Sequence, residues 1–278
     1  MEVVRKELTV SCGDTMNIYF IGDIHEGNVN HAEPEFRKAI NIIKDDPCGY
    51  WVGMGDYIEA ITVDDKKRFS PLSIAKKYGI EDLKDLPYKQ MEAVFKKIEP
   101  IQNKCLCLLT GNHEDTYMKH NSSNVYYRFV EMFDNPPPKM GYVGFLKLCL
   151  KSKAGKNLYS PLFALNHGDG GGGFREGYPL NKLWDVFRWV DADVSVMGHV
   201  HRLMEDDKKF LSVSQADVLT KKRRYVGISG CFLWTYQDGH VNYFEHKGRN
   251  ESDIGMLMCS MNISDRSPNI ALHKIKLG

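Results

Sequence analysis

Aspartate, histidine, asparagine and glutamate recur in five short clusters, each standing directly after a run that reads as a buried strand. The clusters are Gly22-Asp23-Ile24-His25, Gly55-Asp56, Gly111-Asn112-His113-Glu114, Asn166-His167-Gly168 and Gly198-His199-Val200-His201. Carboxylates, imidazoles and amide oxygens are the donors that divalent cations take when no thiolate is offered. Crowding such groups into a small volume costs free energy unless cations neutralise and organise them. These residue types therefore point to a metal site.

The clusters can act together only if the fold brings them to one place. The preceding runs are Ile18 to Ile21, Tyr50 to Met54, Cys105 to Leu109, Leu162 to Leu165 and Val194 to Met197. They are apolar and short, as expected of strands buried on both faces. In an α/β sheet the loops after such strands gather at their carboxyl ends, where ligands bind. Between them the pattern turns helical. Phe36, Ala39, Ile40 and Ile43 form one apolar stripe after Pro34, and Tyr88, Met91, Phe95 and Ile98 form a second. Val125, Phe129, Val130 and Phe133 form a third, ended by Asn135-Pro136-Pro137-Pro138, and Leu180, Leu183, Trp184 and Phe187 form a fourth. Residues 62–86 are charged and weakly periodic, which predicts an insertion over the active-site side with short helices around Ser73 to Tyr78. Tyr142 to Leu150, Phe210 to Ser214, Arg224 to Ile228 and Val241 to Phe244 read as further β-segments. Without an internal repeat or low-complexity linker, residues 1–278 read as a single domain carrying that insertion.

Composition narrows the function classes. A chain of 278 residues with 42% hydrophobic content can bury a sizeable core. Lys plus Arg (37) nearly equals Asp plus Glu (36), so no global basic field announces a nucleic acid or a membrane. The first residues lack an apolar signal region and no stretch is long enough to span a bilayer, so a cytoplasmic protein without a membrane partner is expected. By the same reasoning the Asn-x-Ser patterns at Asn121, Asn250 and Asn262 carry no glycosylation reading. Of seven Cys, Cys105, Cys107 and Cys149 lie in apolar runs and read as small core hydrophobes rather than zinc ligands.

In order and spacing, the five clusters resemble the calcineurin-like metallophosphoesterase superfamily, from Asp23 to His201, about two thirds of the chain. That resemblance implies an α/β fold, a two-layer β-sandwich flanked by helices, a pair of divalent cations and hydrolysis of phosphate esters. By position it implies that Asp23, His25 and His201 hold one metal, that Asn112, His167 and His199 hold the other, and that Asp56 bridges them. It also implies that Glu59 pairs with His113, because phosphoprotein phosphatases of this superfamily carry an Asp there. The chain departs from that branch at Ala60, which stands where those enzymes place a phosphate-gripping Arg. Arg175 and Arg202 are the substitutes expected to bind substrate alongside Asn112.

The chemistry suits these residue types. Two cations about 3.5–4 Å apart need an anionic bridge, and a water they share loses its proton near neutral pH and can attack phosphorus in line. His113, beside Asn112, is the expected leaving-group acid. Mixed nitrogen and oxygen ligation suits Mn²⁺ first, with Fe, Zn²⁺ or Mg²⁺ as alternatives. A local basic run, Lys221-Lys222-Arg223-Arg224, together with Tyr57, Phe174, Tyr178 and Trp234 as stacking surfaces, tilts the expected substrate toward nucleotides or nucleic acid. Gly170 to Gly173 reads equally as a phosphate-cradling or a mobile loop. The alternatives are a small-molecule phosphatase, a cyclic-nucleotide phosphodiesterase and a metal-dependent scaffold without catalysis. His31, His120, His240, His246 and His273 read as ordinary surface histidines, with His31 near enough to reach the rim.

Overall fold

Along strand β2 (Thr15–Ile21), Met16, Ile18 and Phe20 face one way and Tyr19 and Ile21 the other, and all five are buried. Two-sided burial of this kind requires a layer on each face. The computed structural model supplies both, and describes residues 2–10, 15–66, 68–121, 123–170, 175, 177–237, 248, 250–263 and 269–278. One sheet has the order β12 (Asn269–Lys276), β11 (Gly255–Asn262), β2, β3 (Gly49–Gly53) and β4 (Cys105–Leu108). The other runs β1 (Glu2–Thr9), β5 (Val143–Lys151), β7 (Leu162–Asn166), β8 (Val194–Met197), β10 (Leu219–Ser229) and β9 (Leu203–Val213), with β6 (Asn157–Tyr159) pairing β5.

The inner faces meet in one apolar layer. Ile18, Phe20, Val52, Leu257 and Leu272 from the first sheet pack with Leu146, Leu148, Phe163, Val194 and Val196 from the second. On the outer face of the first sheet, Tyr19, Ile21, Trp51 and Leu108 meet helices α1 (Glu33–Asp45), α2 (Leu86–Ile98) and α4 (Val125–Glu131). On the outer face of the second, Ala164, Met197, Val226 and Ile228 meet α5 (Tyr178–Phe187). The result is the expected two-layer sandwich flanked by helices.

All four apolar stripes lie on helices and face the sheets, with Tyr88, Phe95, Leu180 and Trp184 half-buried, although α4 stops at Glu131, before the proline run, with Phe133 buried just beyond. Residues 62–86 differ in detail from expectation. Ile74 to Tyr78 is not helical, and two short 3-10 helices, Pro71–Ser73 and Ile80–Lys84, lie on either side of it. Two backbone bonds clamp this segment to the loop after His25: Val29 N–H to Ser73 O at 2.8 Å and Ala75 N–H to Gly27 O at 2.8 Å. Helix α3 (Asn112–Asn121) was not foreseen, because Glu114 is its one buried residue and no apolar stripe announces it. The expected strand at Val241 to Phe244 lies outside the described residues, as do Gly171 to Phe174, His240 and His246.

Candidate metal centre

Strands β2, β3 and β4 run parallel in one sheet, and β7 and β8 run parallel in the other. Their carboxyl ends open on one rim, where all five clusters sit. Backbone bonds stitch the loops together: Asp23 N–H donates to Gly55 O at 2.9 Å, His25 N–H to Asp56 O at 3.1 Å and Gly198 N–H to Asn166 O at 3.2 Å. A bond across the sandwich, His199 N–H to Asp23 Oδ2 at 2.8 Å, ties the two sheets. Five of the donor residues hold left-handed backbone, with φ of 49° at Asp23, 51° at His25, 51° at Asp56, 70° at His199 and 53° at His201. Asp and His tolerate that region better than most side chains, and strain of this kind gathers at ligand sites. Gly111 shows how tightly the loops pack, since a Cβ there would stand 2.1 Å from both the nitrogen and Oδ1 of Asp56.

The donor atoms fall into two groups, Asp23 with His25 and His201, and Asp56 with His167 and His199, each within 4.8 Å. His25 Nε2 faces His201 Nε2 at 3.1 Å, and His201 Nε2 lies 3.5 Å from Asp23 Oδ1. In the second group His167 Nε2 lies 3.3 Å from Asp56 Oδ2 and 3.1 Å from Asn112 Oδ1. The same Asp56 Oδ2 is 3.9 Å from His25 Nε2, so one carboxylate oxygen reaches a donor of each group.

These residues fit cations better than they fit one another. Asp23 Oδ1 and His199 Nδ1 are buried and make no hydrogen bond among the described residues. Orphaned buried polar atoms of this kind call for an explanation, and an ion is one. Two imidazole lone pairs 3.1 Å apart also need a cation or a proton between them. Burial should drive His167 toward neutrality, yet Asp56 and Asp23 push it up to about 10, so a proton does there what a cation would do. Opposed by burial, the same imidazole with His113 and His25 holds Asp56 well below the ordinary carboxylate range.

His113 and Glu59 are close, but not as expected. The Glu59 carboxylate lies 3.1 Å from His25 Nδ1, and it is the main-chain oxygen of Glu59 that accepts a hydrogen bond from His113 Nδ1. Ala60, left-handed at φ 52°, closes this turn. The predicted carboxylate pairing with His113 is therefore corrected: the backbone orients His113, and the side chain steadies a candidate metal ligand. Burial opposes protonation of His113, but Asp56, Glu59 and the Glu59 carbonyl outweigh it and raise its pKa.

Glu114 is a functional residue to which the sequence reading assigned no role. Its buried carboxylate accepts from the backbone N–H groups of Asp56 (3.1 Å), Tyr57 (2.7 Å), Ile58 (3.2 Å) and Gly111 (3.0 Å). It thereby fixes the loop that aims Asp56 into the site. The available signal was Gly111-x-x-Glu114 at a helix start, half of a capping box. Burial and Asp56 push Glu114 up to about 7, against the pull of the Ile58 N–H, His113 and His167.

Residues 16–203 match the model of the calcineurin-like phosphoesterases, more than half of the chain. The chain belongs to this family. No curated protein matches it. Among solved structures, this phosphoesterase family member is similar to a conserved uncharacterised protein of Streptococcus pneumoniae described as a predicted phosphoesterase. The identity is 11%, with 94% of this chain and 90% of that chain covered and a TM-score of 0.33. It is also similar to zinc-complexed Vps29 of Entamoeba histolytica, at 12% identity, 93% and 99% coverage and a TM-score of 0.34. A third is GAP50 of Plasmodium, described as the anchor in the inner membrane complex, at 11% identity, 95% and 89% coverage and a TM-score of 0.42.

In this calcineurin-like phosphoesterase, several residues outside the metal loops depart from expectation. Arg202 is committed through Nε to Asp253 Oδ2 at 3.0 Å, whereas Arg175 is exposed. The basic run lies along β10 and meets carboxylates: Lys222 and Arg224 reach Asp191 at 2.9 Å, and Arg223 reaches Asp207 at 2.7 Å. Tyr57 is buried and its hydroxyl donates to Leu109 O, so it offers no stacking face. Nothing in this arrangement supports a nucleic-acid interface. His31 is no surface histidine. Its side chain is buried with Glu26, at 3.3 Å, and Lys97, and its Nδ1 lies 2.8 Å from the Ile24 main-chain oxygen. Lys97 and Lys77 neutralise Glu26 and Glu33 there, so that acidic pair has its cations already. Among the described residues, no helix is long and apolar enough to cross a membrane.

Proposed function

We propose that this protein hydrolyses phosphate esters with two bound divalent cations. The observation that carries the reading is Asp56 Oδ2, within 3.9 Å of His25 Nε2 on one side and 3.3 Å of His167 Nε2 on the other, beside donor atoms that have no hydrogen-bond partner. Asp23, His25 and His201 would hold one cation, Asn112, His167 and His199 the second, with Asp56 shared. When bound, the cations supply positive charge for the phosphoryl oxygens and acidify water.

The chain's own side chains supply the rest. His113, with Nδ1 on the Glu59 carbonyl, keeps Nε2 as the position from which a proton passes to the leaving oxygen. The Glu59 carboxylate holds His25 in the tautomer that presents Nε2. Since Asp253 engages Arg202, Arg175 is the better candidate to clamp phosphate. The proposed substrate is a phosphomonoester or phosphodiester, with Mn²⁺ the first cation to try. The test is turnover of an aryl phosphate monoester and diester by chelator-stripped protein given back Mn²⁺, Zn²⁺, Fe²⁺ or Mg²⁺. Turnover that depends on added metal is expected. Protein that binds the metals and turns over neither ester would overturn the proposal.

A further inference from the structure

Strand β9 is the last strand of its sheet, and among the described residues it pairs with β10 alone, over an unbroken eleven-residue register. A long edge without a bulge presents a row of backbone donors and acceptors to any strand that fits. Charged side chains normally guard such an edge. Here their order does the opposite, because Glu205-Asp206-Asp207-Lys208-Lys209 carries acids at one end and bases at the other. A copy of the same strand laid antiparallel against it would place acid opposite base. Four of these five side chains, all but Asp206, belong to exposed residues.

We infer that β9 is a homodimer interface, joining two copies of this chain edge to edge through a two-fold axis at Asp207. The register follows from geometry. A two-fold perpendicular to the sheet keeps its faces, so facing residues must share a face, and the residue numbers of each pair must sum to an even value. Centring on Asp207 sets Glu205 opposite Lys209 of the partner subunit and Asp206 opposite Lys208 of the partner subunit, each twice by symmetry. It also sets Met204 opposite Phe210 of the partner subunit, and Leu211, 69% exposed in one copy, opposite Leu203 of the partner subunit. Moving the centre to Lys208 keeps only one kind of attraction, Asp207 opposite Lys209 of the partner subunit, while it faces two lysines and leaves Asp206 opposite an aromatic ring. At the chosen centre Asp207 faces its own copy, but Arg223 Nη1 already neutralises it at 2.7 Å in each protomer. Cross-strand pairs of opposite charge stabilise a sheet, and like charges directly opposite weaken it.

The experiment measures solution mass by light scattering across micromolar concentrations. The full chain is expected to run as a dimer. Lys209→Glu and Glu205→Lys each set like charges opposite one another twice, and each should weaken the dimer by about tenfold or more. An equimolar mixture of the two variants restores both attractions and should restore the dimer. As an independent arm, Asp207→Cys on the axis should cross-link one copy to another under mild oxidation, whereas Ser212→Cys on the same exposed strand should not. Thermal midpoints check that each variant is folded, and the cysteine arm decides the matter if a charge variant is not. A monomeric wild type, a dimer indifferent to both charge reversals, a mixture that stays monomeric, or cross-linking at Ser212→Cys in place of Asp207→Cys would overturn the inference.

Discussion

Replacing Glu59 by Gln should weaken metal binding, while the main-chain bond that orients the proton donor His113 stays in place. Glu59 Oε2 lies 3.1 Å from His25 Nδ1, and the side chains are 12% and 4% exposed, so water does little to screen the contact. Burial alone would raise Glu59, but His113 and His25 hold it down to about 2, so it is a carboxylate at neutral pH. A charged acceptor makes His25 a stronger ligand and fixes its tautomer, whereas an amide offers a weaker acceptor and can turn its NH₂ toward the ring. Loss of such a partner lowers metal affinity by about 10–100-fold, which corresponds to about 1.4–2.7 kcal/mol. Titrating chelator-stripped Glu59→Gln with Mn²⁺ by calorimetry should show that drop, and kcat at saturating metal should fall by less than the metal affinity does, because the main-chain oxygen of Glu59 still orients His113. Unchanged metal affinity, with an activity loss that steepens with leaving-group pKa, would refute the argument and return Glu59 to His113.

Three further outcomes are expected. Asp56→Asn removes the anionic oxygen that reaches both donor groups, so metal analysis should show lowered stoichiometry in a folded protein with turnover nearly abolished. His113→Asn should cost about 10²–10⁴-fold on an alkyl phosphate and far less on p-nitrophenyl phosphate, with metal content unchanged. Glu114→Ala strands four buried backbone N–H groups, and at about 1–3 kcal/mol for a buried group left without its partner it should lower the thermal midpoint sharply even in the absence of metal.

How far the structure was legible depended on whether a feature was local. The strands before the metal loops were readable because each is a short, mainly apolar run, and the helices over the sheets because their apolar residues recur at helical spacing. Lys97 shows the limit. It stands on α2 between Val94 and Ile98 and would read as a solvated lysine, yet it is buried because Glu26, from the loop after β2, and Glu33, at the start of α1, reach it. Glu59 shows a second limit, since its spacing from Asp56 placed it in the site but could not say which of two imidazoles its carboxylate would face. That choice is made by the left-handed turn at Ala60, which no side-chain pattern announces.

The left-handed rim also restricts which neighbouring sequences natural drift can sample. At Asp23, His25, Asp56, His199 and His201 a β-branched or bulky replacement meets steric refusal from the backbone, whereas Asn or Gly meets little. The tolerated exchanges therefore leave the loops standing while removing the charge or the imidazole. Descendants of such a chain can lose donors one at a time and still display an intact rim, available for selection to put to another use. Shape and chemistry are separately heritable here, because the backbone accepts substitutes that the cations would not.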